Sequence, residues 1–357
     1  MLQQTQRSRT PPGAGLAVVP TRSLHAFVAR VALAVSLLSA ASGTAQKVRP
    51  HDLDQYVAAI EDARKPTQAK ISTSLLALAA ERDPVNDRRL FGSPLVTREI
   101  RGLPHVLVTV FMTRDSYDRF YRANLESHLP EYTLEKSLFV ALVPELKNRF
   151  IEWRREGKHW FRTSSRECPP SPLRVVQLLG LNPVIPYEIL LEMWVPVNAL
   201  FRPSPDPEPW DHEAQLLVQN PDGSWAFPAD RSLILKLDDS VLFKEGKYPK
   251  NDMNLPVPYR KWFIDRLPKA YDHSSQNPAD WGYPFTQLGY TYDWGDPDDH
   301  VGLSELIVRI DPCKGAEPQD ACRNGGELTV TLESAYDVKN REWGRYFRCD
   351  PELQHER

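Results

Sequence analysis

The chain has 357 residues, with 44 Lys or Arg against 47 Asp or Glu and a formal net charge of −3 at pH 7. Nucleic-acid-binding and anionic-membrane-binding proteins depend on basic patches, so this balance argues against both classes of partner. Proline is abundant, at 32 of the 357 residues. This is about 9% of the chain, whereas proline makes up about 5% of an average chain. This abundance predicts many short elements joined by stiff loops.

Residues 1–45 have the pattern of a cleaved secretory signal peptide. Four arginines and no acid precede an apolar run, residues 31–41, and small residues follow it up to Ala45. Such a run is too short to span a bilayer. We therefore predict a secreted or periplasmic protein with no stable membrane insertion after cleavage. Removing the leader would leave 40 basic and 47 acidic residues, a net charge of −7.

Helical periodicity and strand alternation divide the rest of the chain into short elements. Asp52 and Gln55 have capping-box spacing at the start of an amphipathic helix that Pro66 ends. Residues 71–80 fit either a helix or a buried strand. Further helices are predicted to begin near Asp115, Pro144, Leu173 and Pro258, and strands to cover residues 95–100, 105–111, 137–143, 187–195 and 326–335.

These elements predict an α+β protein with a mixed, mostly antiparallel sheet flanked by four to five short helices. We expect residues 46–312 to form the main α+β domain. Residues 313–357 would add a disulfide-tied C-terminal hairpin and tail to that same domain.

Cysteine usage agrees with export. The chain has four cysteines and no Cys-x-x-Cys pair, which argues against zinc and thiol-redox motifs. An even number in an exported chain favours disulfides, and four cysteines allow three pairings. We favour Cys313 with Cys322, which would close a polar loop between two strands, and Cys168 with Cys349, which would tie the C-terminus to the middle of the chain.

A proline-rich run over residues 201–209 follows one of the predicted strands. Its alternate prolines lock φ and enforce an extended path, so Arg202, Asp206 and Glu208 would point in fixed directions. Both a functional rim loop and an ordinary crossover use such rigidity. Arg202 is therefore a candidate ligand-binding residue, and Asp206 and Glu208 are candidate catalytic carboxylates.

Residues 283–310 are predicted to form two strands joined by an acidic loop. Tyr290, Tyr292 and Trp294 recur at every second position. They are candidate ligand-binding residues, because such rings can form a carbohydrate-stacking platform, although core packing is the alternative. The return strand is apolar on both sides, so Glu305 is either a partnered structural residue or a tuned catalytic acid or base.

The loop between these strands is rich in possible metal ligands. Asp296, Asp298, Asp299 and His300 follow Asp293, which is itself a candidate catalytic carboxylate. Calcium prefers carboxylate and carbonyl oxygens, so calcium is a possible cofactor and these four residues are its candidate ligands. Their spacing does not match the calcium-loop pattern. The alternative is that the aspartates cap and solvate the turn.

Several common chemistries lack their signatures. The chain has no phosphate-cradling glycine loop, no dinucleotide-binding fingerprint and no zinc-protease helix. Residues 302–306 lack the second glycine of a nucleophile elbow, so Ser304 is discounted as a nucleophile.

Five segments together resemble a recurring group of uncharacterised exported bacterial proteins. They are HVLVTVFMTR, SLFVALVPEL, VQLLGLNP, LFRPSPDPE and GYPFTQLGYTYDWG. The resemblance covers most of residues 70–310, implies one exported domain and brings no activity with it.

Two functions remain open. The first is a non-catalytic binding or interaction domain for an unknown extracytoplasmic ligand or protein. The second is a periplasmic or extracellular hydrolase that uses carboxylates around the hairpin from Asp293 to Glu305. Carboxylates that converge in one pocket would favour the hydrolase, whereas carboxylates dispersed over the structure would favour the binding domain.

Overall fold

A nine-stranded sheet forms the framework of the protein. The computed structural model describes residues 48–78, 83–90, 92–134, 137–156, 168–219, 221–222, 225–227, 230–235, 257–296, 298–308 and 328–349. The strands of this sheet are β1 (Thr97–Ile100), β2 (Leu103–Thr113), β3 (Glu131–Leu134), β4 (Leu138–Leu142), β5 (Tyr187–Pro196), β6 (Leu200–Phe201), β10 (Tyr290–Tyr292), β11 (Val301–Val308) and β12 (Leu328–Asp337). A separate three-stranded sheet contains β7 (Val218–Gln219), β8 (Trp225–Phe227) and β9 (Asp230–Leu235).

The order of the large sheet is β10-β11-β4-β2-β5-β12-β3, with β1 also beside β2 and β6 also beside β11. Every strand pair among the described residues is antiparallel. The prediction of an α+β protein with a mostly antiparallel sheet is therefore confirmed.

Eight α-helices occur in the described part of the chain, and five of them have seven or more residues. They are α1 (Pro50–Ala63), α2 (Pro84–Arg89), α3 (Arg114–Phe120), α4 (Arg122–Glu126), α5 (Val143–Glu156), α6 (Pro172–Leu178), α7 (Val257–Tyr271) and α8 (Arg341–Tyr346). Helix α1 begins two residues before Asp52, whose carboxylate accepts the backbone N–H of Arg49 at 2.9 Å. Asp52 is therefore the third residue of the helix, and Arg49 is the N-cap residue. The capping-box spacing of Asp52 with Gln55 had placed Asp52 itself at the N-cap.

Alternate residues of the central strands pack into two cores, because side chains of a strand point to opposite faces. In β2, Val108 and Met112 belong to one core and Phe111 to the other. Helices α1, α5, α6, α7 and α8 supply the core around Phe111, and we call this side of the sheet the helix face. The opposite side, the loop face, is covered by α3 and by apolar residues at 76, 78 and 90.

Residues 71–78 form neither a helix nor a strand, which resolves the ambiguity of their pattern. Their backbone is instead bonded to distant parts of the chain. Leu76 N–H is accepted by the Ser304 hydroxyl at 2.9 Å, and Ala77 exchanges two hydrogen bonds with the Asn86 side chain at 2.9 and 2.7 Å. Leu78 N–H is accepted by the Pro209 carbonyl at 2.7 Å. This extended segment therefore lies between α2 and the proline-rich run.

Cys168 and Cys349 form a disulfide with a Cα–Cα distance of 5.3 Å, which is the pairing expected from the sequence. It joins two points that are 181 residues apart, just before α6 and just after α8. The second expected pair, Cys313 with Cys322, and the predicted signal peptide, residues 1–45, lie outside the described residues. No helix in the described ranges is long and apolar enough to cross a membrane.

Candidate functional site

The proline loop, residues 201–213, is held from inside by Arg202, which is 1% exposed. Its guanidinium donates hydrogen bonds to the carbonyls of Glu208 at 3.1 Å and Glu213 at 2.8 Å, and to Asp211 Oδ1 at 2.6 Å. It also donates to the Leu76 carbonyl at 3.1 Å. The structure thus places Arg202 beneath the loop, where it fixes the backbone. This position favours a scaffold role over direct ligand contact.

Three carboxylates converge at this loop. Asp206, Glu208 and Asp211 each offer an oxygen atom, and these atoms lie within 4.8 Å of one another. Burial, and then the nearby carboxylates, raise the pKa values of Asp206 and Glu208 above the ordinary range. Oxygen donors of this type suit calcium or magnesium, although Arg202 already supplies one positive charge to the group. The sequence predicted two of the three members and missed Asp211.

A groove of about 650 Å³ opens beside the loop. Its lining comes from the end of the extended segment, α2, the approach to β1, the start of β2, the turn after β5 and the proline loop. The described lining residues are Leu78, Asp83, Asn86, Asp87, Leu90, Gly92, Ser93, Pro94, Leu95, Thr97, Pro104, Val106, Val197 and Trp210. Trp210 is 53% exposed, which is unusual for so large an apolar side chain. Sequence reasoning missed Trp210, whose only signal was a lone aromatic residue among prolines and acids.

His212 ties the proline loop to the wall of the groove. Its Nδ1 lies 2.7 Å from the Leu75 carbonyl and its Nε2 lies 3.0 Å from Asp83 Oδ2. The backbone N–H of Asn86, followed by the His212 ring, lowers the pKa of Asp83, so its carboxylate is ionised and accepts only. Both partners of His212 are acceptors, so each ring nitrogen forms its hydrogen bond only when it carries a proton. These contacts anchor the loop two residues after Trp210.

The acidic loop of the hairpin uses its carboxylates internally. Asp293 is buried and forms a two-pronged ion pair with Arg174, at 2.8 and 2.6 Å. Asp296 Oδ1 accepts the backbone N–H groups of Asp298 and Asp299 at 3.1 and 3.3 Å. The two contacts of Asp296 are those of a turn-capping aspartate.

Asp299 and His300 of that loop also make contacts within the protein. The His300 ring stacks on Tyr292 with centroids 4.9 Å apart, and Asp299 Oδ1 accepts Val301 N–H at 3.0 Å. Within the described ranges, a convergent group of three ligand atoms occurs at the proline loop and not here. The geometry favours the turn-capping alternative, and calcium binding by Asp296, Asp298, Asp299 and His300 stays a prediction.

The aromatic residues of the hairpin pack inward. Tyr290 and Trp294 are buried, and their polar atoms bond to the carbonyls of Lys70 at 2.9 Å and Leu181 at 3.2 Å. Tyr292 OH donates to Asp62 Oδ2 at 3.0 Å. Because each polar group is used within the protein, the arrangement favours core packing over an exposed stacking platform.

Glu305 is 8% exposed and lies on the helix face, beside Leu303 and Ile307 of the same strand alternation. Burial raises its pKa to about 8, and the nearby Arg266 charge offsets only part of that effect. Arg266 itself donates to Tyr283 OH at 2.8 Å. No described residue donates a hydrogen bond or ion pair to the Glu305 carboxylate, which favours a tuned acid over a partnered structural one.

The candidate carboxylates therefore occupy separate places. Asp206 and Glu208 meet at the proline loop, Asp293 is committed to Arg174, and Glu305 lies inside the helix face. The groove belongs to the loop face, since its lining includes Leu90 and Val106. This dispersal favours the binding domain over the hydrolase.

Comparison with protein-family models, curated proteins and solved structures finds no match for this chain. The resemblance to exported bacterial proteins thus stays a prediction. Function has to be argued from the geometry of the site.

Proposed function

We propose that the protein is an exported, non-catalytic binding domain, secreted or periplasmic, whose ligand occupies the groove beside Trp210. The groove itself supports this proposal most directly. Ligand sites have volumes of about 300 to 1,000 Å³, with mostly apolar linings and a few fixed polar groups. A groove of about 650 Å³ lined by leucine, valine, proline and one half-exposed tryptophan fits that description.

The rigidity of the proline loop also supports binding. Arg202 holds the loop from below, His212 bonds to α2 through Asp83, and the Pro209 carbonyl bonds to Leu78. A loop backbone that is fixed before the ligand arrives loses little conformational entropy on binding. Trp210 is therefore presented on a preorganised loop.

Export is supported by the disulfide between Cys168 and Cys349. Disulfides persist in oxidising compartments and are rare in the cytosol. The bond accordingly fits a protein that works in the periplasm or outside the cell.

A fluorescence titration with the neutral apolar dye N-phenyl-1-naphthylamine tests the proposal. The wild-type chain should bind the dye, and Trp210→Ala should weaken binding about tenfold, as expected for an aromatic anchor in a pocket. Ser93→Trp should block the groove without removing a core contact. Leu129→Ala is the matched control, because Leu129 is 67% exposed and does not line the groove. Equal dye binding by wild type, Trp210→Ala and Ser93→Trp would refute the groove as the site.

A hydrolase is the second candidate function, and one observation favours it. Glu305 is a buried carboxyl whose pKa is raised to about 8, as expected for a general acid at neutral pH. Release of products from peptidoglycan or casein by the wild-type chain, and its loss in a folded Glu305→Gln variant, would support this alternative. Activity that survives Glu305→Gln would exclude Glu305 from the chemistry.

A further inference from the structure

The charged residues that line the groove are acidic. Among its described lining residues only Asp83 and Asp87 are charged. Glu208 and Asp211 flank Trp210 in the proline loop, and the Asp211 side chain is 45% exposed. Their oxygen atoms and one of Asp206 lie within 4.8 Å of one another, and Arg202 is the ion-pair partner of Asp211. Three carboxylates beside one guanidinium make a further cationic neighbour favourable.

Three nearby basic groups are directed elsewhere. Arg202 lies beneath the loop, and His212 is engaged with Asp83. Arg98, in β1, places its guanidinium 4.4 Å from the Trp194 ring centroid, and Trp194 belongs to a cluster separate from the groove. A ligand in the groove therefore meets carboxylates and not these cations.

Strand β1 provides a second feature, an open edge beside the groove. It pairs with β2 on one side, with Thr97 opposite Val106 and Glu99 opposite Pro104. Leu107 donates its N–H to the Val96 carbonyl at 2.9 Å. Since inward and outward backbone groups alternate along an antiparallel strand, those of Thr97 and Glu99 face away from β2. No described residue forms a backbone hydrogen bond with them on that side.

We infer that the groove binds an extended peptide segment in which an apolar residue and a basic residue lie two positions apart. The inference rests on the proposed binding function and names its ligand class. A peptide backbone matches the open edge of β1, because strand addition uses the unpaired N–H and C=O groups of an edge strand. A small apolar molecule would leave those groups unused.

The spacing follows from the geometry of a strand. Residues two apart point to the same face of a strand. A peptide side chain that enters the groove against Trp210 therefore has its next same-face neighbour two positions away, at the edge of the groove. Thr97 and Glu99 share the face of β1 that borders the groove, because Thr97 lines it. A lysine or arginine at that position would meet Glu99 or the carboxylates beside Trp210.

Short fluorophore-labelled, amidated peptides test the inference by anisotropy with the full chain. The probe has one leucine with lysines two positions to either side. Matched peptides replace the lysines by glutamates, replace the leucine by serine, or carry N-methyl groups at alternate backbone nitrogens. We expect each change to weaken binding about tenfold or more, since like charges across an interface are strongly unfavourable and strand addition requires the N–H groups. Added salt should weaken the lysine peptide selectively.

A pair of variants tests the open edge within the protein. Thr97→Pro removes an outward N–H, and proline is tolerated on an edge strand at such a position, so the fold should be kept while peptide binding falls about tenfold. Thr97→Val retains the N–H and should bind as wild type does. A thermal melt of each variant verifies that it is folded.

The outcomes separate this inference from the function on which it rests. Dye binding that depends on Trp210, without binding of any peptide, would overturn the peptide inference and leave the proposed function standing. Equal binding of the lysine and glutamate peptides, or of the N-methylated peptide, would overturn it as well. Absence of both dye and peptide binding would overturn the proposed function itself.

Discussion

The proline loop and the acidic hairpin loop contain the same types of residue and arrange them in opposite ways. Each has carboxylates beside a tryptophan. In the hairpin, Asp293 and Trp294 are both buried and used by the fold. In the proline loop, Arg202 and Asp206 are buried, and the tryptophan is 53% exposed. An aromatic side chain that stays exposed above a rigid, charge-anchored loop is thus the stronger indication of a ligand surface.

Replacing each tryptophan by alanine should separate the two regions most clearly. Trp294→Ala removes a buried ring that packs against Tyr56 with centroids 5.8 Å apart, and should lower the free energy of unfolding by about 4 kcal/mol. Trp210→Ala removes a half-exposed ring and should change it by about 0.5 kcal/mol or less. Urea unfolding of both variants measures the difference. Equal destabilisation would mean that Trp210 is a structural residue like Trp294.

Removing Asp293 should have the next largest effect. Asp293→Ala takes away the carboxylate that accepts two hydrogen bonds from the buried Arg174 guanidinium, and should destabilise the fold by about 3 kcal/mol. Asp298→Ala is the matched control in the same loop, and its exposed carboxylate should contribute less than about 0.5 kcal/mol. Urea unfolding again provides the values. An unchanged stability in Asp293→Ala would show that Asp293 is available for another role.

Local pattern was sufficient to predict most of the framework of this protein. The nearly continuous apolar runs of β2, β5 and β11 identified strands, because a strand covered on both faces has apolar residues at successive positions. The pairing of Arg174 with Asp293 was beyond such reasoning, since the two residues are 119 positions apart and spacing does not specify distant partners. For the same reason the pattern identified the rigid proline run and its carboxylates but not the groove, whose walls come from several separate segments.

The buried position of Glu305 next to the same hairpin predicts a pH effect on stability. Its pKa is raised to about 8 in the folded protein, above the unfolded value of about 4.3. The folded state therefore retains a proton that the unfolded state has lost, and stability decreases as pH rises through that interval. Between about pH 5 and pH 6.5 the wild type should lose about 2 kcal/mol relative to Glu305→Gln, which cannot ionise.

Urea unfolding of the wild type and of Glu305→Gln at several pH values measures this effect. The matched control is Glu333→Gln, because Glu333 lies at the surface, with 37% of its side chain exposed. A wild type and a Glu305→Gln variant with parallel pH profiles would place the pKa of Glu305 near its ordinary value.

The smallest effect concerns the contact between Asp83 and His212, which joins the proline loop to α2. Asp83→Asn keeps an oxygen for the N–H groups that cap α2 and alters only the contact with His212, so it should destabilise the fold by about 1 kcal/mol. The pKa of Asp83 is lowered by the Asn86 backbone N–H and by His212. Its stabilising contribution is hence present above the unfolded pKa of about 3.9 and is lost as the pH falls through the folded pKa.

Nitrogen NMR of the His212 ring gives the decisive measurement for this contact. In the wild type Leu75 and Asp83 both accept, so the ring bonds to both of them only when both nitrogens carry protons. In Asp83→Asn the amide can donate to Nε2, so a ring protonated at Nδ1 alone becomes favourable. If groove binding weakens in Asp83→Asn, then the position of Trp210 depends on the contact between His212 and Asp83. If binding is unchanged, Arg202 and the backbone bond between Leu78 and Pro209 hold the loop in place.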